Sequence, residues 1–207
     1  MSAWVQRYAG IGGVVGGLLW ALTPLRQPVF GAGRTPDEGV TFFRLYNLVL
    51  MLIAVLLTLA LVRLRDELRD SGRLFTLGWW TILVGHVLLF AGSVPAVVLG
   101  DGPRDVVMGG QDLGFLGAMV AGLGGILAGL DMLRRRRSPA LASWLLLLTL
   151  PAGFLGLALL GAMGVSDDVL GLPLTVLYGG AWVVLGWSWI RQRDARDDRE
   201  DTVPSTV

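Results

Sequence analysis

The sequence predicts an all-α protein, a bundle of six transmembrane helices. Of its 207 residues, 54% are apolar before glycine is counted, whereas soluble domains reach about 45–50% with glycine included. Six apolar segments are long enough to cross a hydrocarbon layer, and arginines cluster in every second gap between them. Because each span takes about 20 residues, six spans use about 120 and leave no room for a separate soluble domain.

The spans follow the hydropathy along the chain. We place them at residues 9–25, 44–62, 74–99, 113–132, 139–163 and 169–190. Residues 1–193 then form one transmembrane domain. The polar residues 194–207 form a cytoplasmic tail that we expect to be partly disordered.

Arginine orients the spans, since all 17 basic residues of the chain are arginines. Basic residues concentrate in the cytoplasmic segments of multi-pass proteins. With the N-terminus inside, thirteen arginines fall on the inner side and four on the outer side. We therefore expect both termini in the cytoplasm and the protein in the cell membrane. The four outer arginines are Arg26, Arg34, Arg44 and Arg104.

The first span allows a second interpretation. A 17-residue apolar segment that follows one arginine and precedes Gly31 and Ala32 has features of a cleavable signal peptide. Cleavage would leave five spans and a new outer N-terminus. The glycine-rich centre of the segment favours a retained helix.

Cysteine and lysine are absent and histidine is rare, which excludes several kinds of catalytic and cofactor chemistry. Without cysteine there is no disulfide or thiolate nucleophile, and without lysine there is no Schiff base to a cofactor. The single histidine excludes bis-histidine haem ligation within one chain, and no acidic spacing is typical of a calcium loop. We predict no cofactor and no metal site, and a net charge of +1 gives no support for nucleic-acid binding.

His86 is the main candidate for a functional residue. It falls near the middle of the third span, where an ionisable side chain is costly unless it faces the bundle interior and finds a partner. Counted from the span ends, Thr58, Thr149 and Tyr178 lie at the same depth, so the four side chains could form one buried polar layer that binds a ligand. The alternative is structural, with a neutral histidine that shares hydrogen bonds with neighbouring helices.

A polar stripe on the second span suggests an access path. Arg44, Asn47, Met51 and Thr58 recur at helical spacing along one side, which makes Arg44 and Asn47 further ligand-binding candidates. The outer carboxylates have a simpler explanation, because they stand at helix N-termini, where they stabilise the helix dipole.

Small residues at a spacing of four mark the first and fourth spans, for example Gly12 with Gly16 and Gly110 with Gly114. Such a face permits close helix approach in lipid. We expect these helices to be central or paired within the chain, and the alternative is a homo-oligomer or another membrane protein bound through the glycine faces.

Four consecutive arginines follow the fourth span. They could bind anionic lipid head groups, at about 1 kcal/mol per basic residue, or act only as a topology signal. The run comprises Arg134, Arg135, Arg136 and Arg137.

No catalytic motif is present, so the function has to be weighed from the buried polar groups. The first hypothesis is a non-enzymatic multi-pass protein, either an accessory or scaffold subunit or a binder of lipid or a small hydrophobic ligand. The second is a small solute or proton-coupled transporter that uses His86. The third is a membrane-embedded lipid or quinone enzyme with His86 and Tyr178 as acid and base, which requires those side chains within about 2.6–3.2 Å.

Overall fold

The computed structural model describes residues 3–25, 39–70, 72–100, 102–136, 138–165 and 171–202. These residues form six long helices and one short 3-10 turn, without a strand. All six helices are long and apolar enough to cross a membrane, so the predicted transmembrane helical bundle is confirmed. The helices are α1 Ala3–Leu22, which the turn Thr23–Leu25 extends, α2 Val40–Glu67, α3 Arg73–Leu99, α4 Arg104–Arg135, α5 Ala140–Ala162 and α6 Leu172–Thr202.

The helices extend beyond the predicted spans at several ends. Helix α4 begins at Arg104, ahead of the predicted residue 113, and α6 continues to Thr202, past the predicted residue 190. Hydropathy marks only the part of a helix that lies in hydrocarbon, whereas the backbone hydrogen bonds continue into the polar region. Most of the predicted tail 194–207 therefore continues α6, and residues 203–207 lie outside the described residues.

The six helices form a closed ring in chain order. Each helix packs antiparallel against the next one, and α6 packs against α1. We call the end of the ring that carries Glu67, Arg73 and Arg135 the arginine end, and the end that carries Thr23, Gly100 and Gly171 the cavity end. The outside of the ring is apolar, as lipid contact requires, with exposed side chains such as Leu52, Val87, Leu123 and Leu155.

Glycines spaced seven residues apart join α3 to α4. A spacing of seven places residues on one helix face two turns apart, and here each glycine faces the backbone of the partner helix. A Cβ atom on Gly117 would lie 2.6 Å from the carbonyl oxygen of Gly85, so only glycine permits this approach. The stripe consists of Gly78, Gly85 and Gly92 on α3 and Gly110, Gly117 and Gly124 on α4.

The same spacing joins α1 to α6, where Gly10 and Gly17 face Gly186 and Gly179. A second face of α1, which includes Gly12, packs against Leu56 of α2. The prediction of close packing through the glycines of α1 and α4 is thus correct, but these two helices are not neighbours in the ring. Glycine spacing identifies a packing face, and it does not identify the helix that packs there.

The half of the ring nearer the arginine end is filled by large side chains. Leu61, Ile82, Met132, Trp182 and Trp189 are almost completely buried there and belong to one apolar cluster. Large apolar side chains therefore pack against one another in the described interior of this half.

At the arginine end, contacts of tryptophans with charged residues and backbone carbonyls connect different helices of the ring. The indole N–H of Trp189 on α6 donates to the Glu67 carboxylate on α2, and the Arg63 guanidinium lies 5.3 Å from the centre of the Trp189 ring. Trp79 donates its indole N–H to the carbonyl of Leu61 at 2.9 Å. These contacts join α2 to α3 and α6, which keeps the arginine end closed.

Candidate functional site

A cavity of about 530 Å³ occupies the half of the ring nearer the cavity end. Its volume lies within the range of about 300–1,000 Å³ that is typical of small-molecule sites. All six helices contribute to its lining, which includes Trp20, Asn47, Ser93, Phe115, Thr149 and Tyr178.

His86 and Tyr178 meet at the level where the cavity ends. His86 is buried, and its Nε2 atom lies 3.0 Å from the Tyr178 hydroxyl oxygen. On the opposite edge of the imidazole, Nδ1 of His86 lies 3.3 Å from Oγ1 of Thr58. The structure thus brings together three of the four residues predicted to form a polar layer. The fourth, Thr149, lines the same cavity, and its hydroxyl donates to the carbonyl of Leu145 at 2.8 Å.

The hydrogen bonds around His86 determine where its proton lies. Thr58 donates its hydroxyl proton to the carbonyl of Ala54 at 2.7 Å, so its oxygen accepts a proton from Nδ1 of His86. Burial within the span disfavours a charged imidazole, so Nε2 carries a lone pair and accepts from the Tyr178 hydroxyl. His86 is therefore a neutral imidazole with both nitrogens hydrogen-bonded, and Tyr178 connects it to the cavity.

Aromatic rings surround this contact. The centre of the Tyr178 ring lies 5.8 Å from that of Trp20 and 6.1 Å from that of Trp182, in edge-to-face arrangements. The His86 ring lies 6.3 Å from Trp182. These rings fix the orientation of Tyr178, so the floor of the cavity has a defined shape.

One polar atom at the cavity has no partner. Trp20 is 8% exposed and lines the cavity, and its indole N–H makes no hydrogen bond within the described part of the chain. An unsatisfied buried donor costs about 1–3 kcal/mol. The nitrogen has almost no accessible surface, so a molecule in the cavity does not reach this N–H in the present arrangement.

Three aliphatic hydroxyl groups of the lining donate their protons to backbone carbonyls. Thr23 donates to the carbonyl of Trp20 at 2.7 Å, and Ser93 donates to the carbonyl of Leu89 at 3.0 Å. Thr149 does the same within α5. Each oxygen keeps lone pairs, so these residues offer acceptors to a molecule in the cavity.

The predicted access stripe on α2 is only partly supported. Asn47 is buried in the lining and donates its side-chain N–H to the carbonyl of Phe43 at 2.9 Å. Arg44 is not among the described lining residues, because its side chain occupies the space beside Gly100 where a Cβ atom would lie. Arg44 and Asn47 are three residues apart, and the rotation between them turns the guanidinium toward the end of α3.

The arginine run lies at the opposite end of the ring from the cavity. Arg134, Arg135 and Arg136 are exposed, and Arg137 lies outside the described residues. Arg135 donates to the Asp131 carboxylate at 2.8 Å, so at least this arginine has a structural role. Lipid binding by the run stays a prediction.

Trp20 and Ser93 line the cavity but were not among the predicted ligand-binding residues. Both stand among apolar residues, and only closure of the ring brings them to the cavity. No group of three metal-binding side chains occurs in the described ranges.

Comparison with known protein families, with curated proteins and with solved structures gives no match. The fold and the site define a class by themselves: a multi-pass membrane protein whose ring of six helices encloses a cavity of ligand size.

Proposed function

We propose that this protein binds a small amphipathic molecule from the membrane in its central cavity. The observation that carries the proposal is the cavity of about 530 Å³, which all six helices line with apolar side chains and a few polar ones such as Thr149 and Tyr178. Small-molecule sites combine apolar walls with a few placed polar groups. Here Leu50, Leu89 and Leu150 supply apolar wall, and Tyr178 supplies a polar floor.

Catalysis by His86 is a weaker candidate. The distance of 3.0 Å to Tyr178 meets the geometric requirement for an acid and base pair. Both nitrogens of His86 are engaged, however, and His86 is not among the described residues that line the cavity. Because Tyr178 lines the cavity and His86 does not, the site favours ligand binding at Tyr178 over proton transfer by His86.

Proton-coupled transport is the second candidate, and one contact favours it. Tyr178 lines the cavity and hydrogen-bonds to His86, so a ligand that displaced the tyrosine would expose the imidazole to a proton. Proton flux into vesicles that carry the wild type, compared with His86→Ala, separates this function from binding alone. Flux that needs both His86 and a ligand would establish transport.

The arginine distribution supports an orientation with the arginine end in the cytoplasm of the cell membrane. The exposed residues Arg65, Arg69 and Arg73 and the run that follows α4 lie at that end. In this orientation the cavity is closed toward the cytoplasm and is reached from the outer leaflet. Membrane lipid is therefore the partner class that we propose.

Native mass spectrometry tests binding with two matched substitutions on α4. Gly114 lines the cavity, and a Cβ atom there would meet Leu89 only at 3.8 Å, an ordinary contact. Gly109 has no atom within 4 Å of a Cβ position. We expect a bound small molecule on the wild type and on Gly109→Leu, and its loss from Gly114→Leu. Equal retention by both variants, or a ligand-free wild type, would overturn the proposal.

A further inference from the structure

We propose that the arginine end of the ring binds an anionic phospholipid, whose phosphate is held by arginines of the α2–α3 turn and of the end of α4. One acyl chain of this lipid lies along the outside of α3. The site is at the opposite end of the ring from the cavity and is independent of the ligand that we propose there.

Arg135 brings the end of α4 to the turn between α2 and α3. Its guanidinium donates to the Asp131 carboxylate at 2.8 Å and to the backbone carbonyl of Asp70 at 3.4 Å, and it fills the space beside Gly72. These contacts gather further arginines, because each residue of the contact has an arginine next to it in the sequence. We call these four residues the arginine cluster: Arg69, Arg73, Arg134 and Arg136.

The arginine cluster carries charge that the rest of the protein does not compensate. Its four side chains are exposed and make no ion pair within the described part of the chain. Two of the nearby carboxylates are already engaged, by Arg135 and by the indole of Trp189. The exposed carboxylates of Asp66 and Asp70 remain, so four positive charges lie beside two negative ones. A phosphate suits this excess, because guanidinium groups bind its oxygens in pairs.

Helix dipoles explain some arginines at this end but not Arg73. Basic residues stabilise helix C-termini, which accounts for Arg65 in the last turn of α2 and for Arg134 and Arg135 in the last turn of α4. Arg73 instead begins α3, and the first turn of α3 has no acidic residue. A cation is unfavourable at the positive end of a helix dipole, so Arg73 does not stabilise its own helix. Its position is consistent with a bound anion.

Tryptophans place the arginine cluster at the level of the lipid head groups. Trp80 on α3, Trp144 on α5 and Trp187 on α6 are each about half exposed near this end of the ring. Exposed indoles prefer the interface between hydrocarbon and water. Arg73 lies two helical turns farther out along α3 than Trp80, and it is therefore on the water side of the indoles, where lipid phosphates lie.

An exposed apolar stripe continues from Arg73 along the outside of α3. Leu77, Trp80, Val84 and Val87 follow at spacings of four and three residues, so they share one helix face. Each of them is between 49% and 58% exposed. A lipid whose phosphate binds the arginine cluster can lay an acyl chain along this stripe, whereas a soluble anion makes no use of it. The combination therefore identifies a phospholipid as the partner.

Native mass spectrometry of the full-length protein tests the site with two lipids of the same acyl chains, phosphatidylglycerol and phosphatidylcholine. We expect phosphatidylglycerol to bind about tenfold more tightly, because its head group has a net negative charge. Arg69→Gln combined with Arg73→Gln should weaken its binding about fivefold for each arginine, which corresponds to about 1 kcal/mol per basic residue. Phosphatidylcholine binding should not change.

Arg191→Gln combined with Arg193→Gln is the matched control. Both arginines are exposed on α6 at the same end of the ring, and the change in net charge is equal. This variant should bind phosphatidylglycerol as the wild type does. An equal loss in the control would show a general charge effect and would contradict the site. Equal binding of the two lipids by the wild type would contradict it as well.

Arg136→Gly separates lipid binding from folding. Arg136 ends α4 in the left-handed region, with φ 52°, and its N–H donates to the carbonyl of Met132 at 3.0 Å. Glycine is the usual residue in this conformation. We therefore expect Tm to be unchanged or higher, together with about fivefold weaker phosphatidylglycerol binding. Unchanged binding would show that the end of α4 takes no part and would overturn the four-residue site.

Two further measurements distinguish this lipid from the cavity ligand and from apolar contact alone. Gly114→Leu fills the cavity at the other end of the ring and should retain phosphatidylglycerol, so a loss in this variant would place the lipid in the cavity. In about 1 M ammonium acetate the Debye length is about 3 Å, and the preference for phosphatidylglycerol should disappear. A preference that persists would refute binding through exposed arginines.

Discussion

The two halves of the helix ring differ in what they enclose, although the same helices build both. Near the arginine end the interior holds Leu61, Met132 and Trp182 without a described gap, whereas near the cavity end the helices surround about 530 Å³ of open space. Loose helix packing does not explain the difference. Gly92 meets Gly110 in the hollow half even more closely than Gly78 meets Gly124 in the filled half.

The comparison shows that the cavity depends on which side chains point inward. In the hollow half the inward positions of α3 and α4 include Ser93, Gly114 and Ala118, which are too small to meet across the ring. In the filled half Ile82 and Met132 occupy such positions. Stability and ligand binding should therefore respond to different substitutions.

The largest expected effect on stability comes from a substitution in the glycine stripe, which runs through both halves. In Gly85→Ala the new Cβ atom would lie 2.6 Å from the carbonyl oxygen of Gly117, so α3 and α4 have to separate, at about 1–3 kcal/mol. Gly109→Ala is the matched control, with open space around its Cβ position. Thermal unfolding in detergent should show a clear decrease in Tm for Gly85→Ala alone. Equal Tm values would mean that the close approach of α3 and α4 is not required.

The next effect concerns the boundary between the halves. Tyr178→Phe removes the hydrogen bond to His86 and leaves Nε2 buried without a donor, which costs about 1–3 kcal/mol. It also changes the cavity floor, so we expect both a lower Tm and weaker ligand binding. A loss of binding at unchanged Tm would show that His86 finds another donor.

A smaller effect is expected in the filled half. Trp189→Phe keeps a buried ring and removes the indole N–H that donates to Glu67, at about 1 kcal/mol. Because this contact lies away from the cavity, we expect a lower Tm with unchanged ligand affinity. Weaker binding in this variant would show that closure at the arginine end is coupled to the cavity.

The smallest effect on stability is expected at Thr149, a side chain of the hollow half. Thr149→Val keeps the shape of the side chain and removes an oxygen whose proton goes to the carbonyl of Leu145 within α5. We expect almost no change in Tm and a measurable loss of the bound small molecule in native mass spectrometry. The reverse result would assign Thr149 to packing.

The sequence was sufficient to predict the six spans, because apolar length and arginine position report directly on the membrane. It also placed His86, Thr58 and Tyr178 at one level, since depth follows from residue count. Depth does not give the direction in which a side chain points around the helix axis. For this reason the sequence did not show that Trp20 lines the cavity or that Arg44 lies outside its described lining.

The glycines also show that a pattern within one helix does not identify its neighbours. Their spacing predicted close packing of α1 and α4, and the structure shows that each has two other neighbours. Which helices adjoin, and hence whether the ring encloses a cavity, depends on contacts between distant parts of the chain. A pattern within one helix does not contain that information.

The central claim is that the hollow half of the ring holds a lipid-like ligand, and a cryo-electron microscopy map of the wild type extracted with its native lipids tests it most directly. We expect elongated density inside the ring, in contact with the lining residues Thr149 and Tyr178. A ring without internal density, in which side chains close the space between Trp20 and Thr149, would contradict the claim.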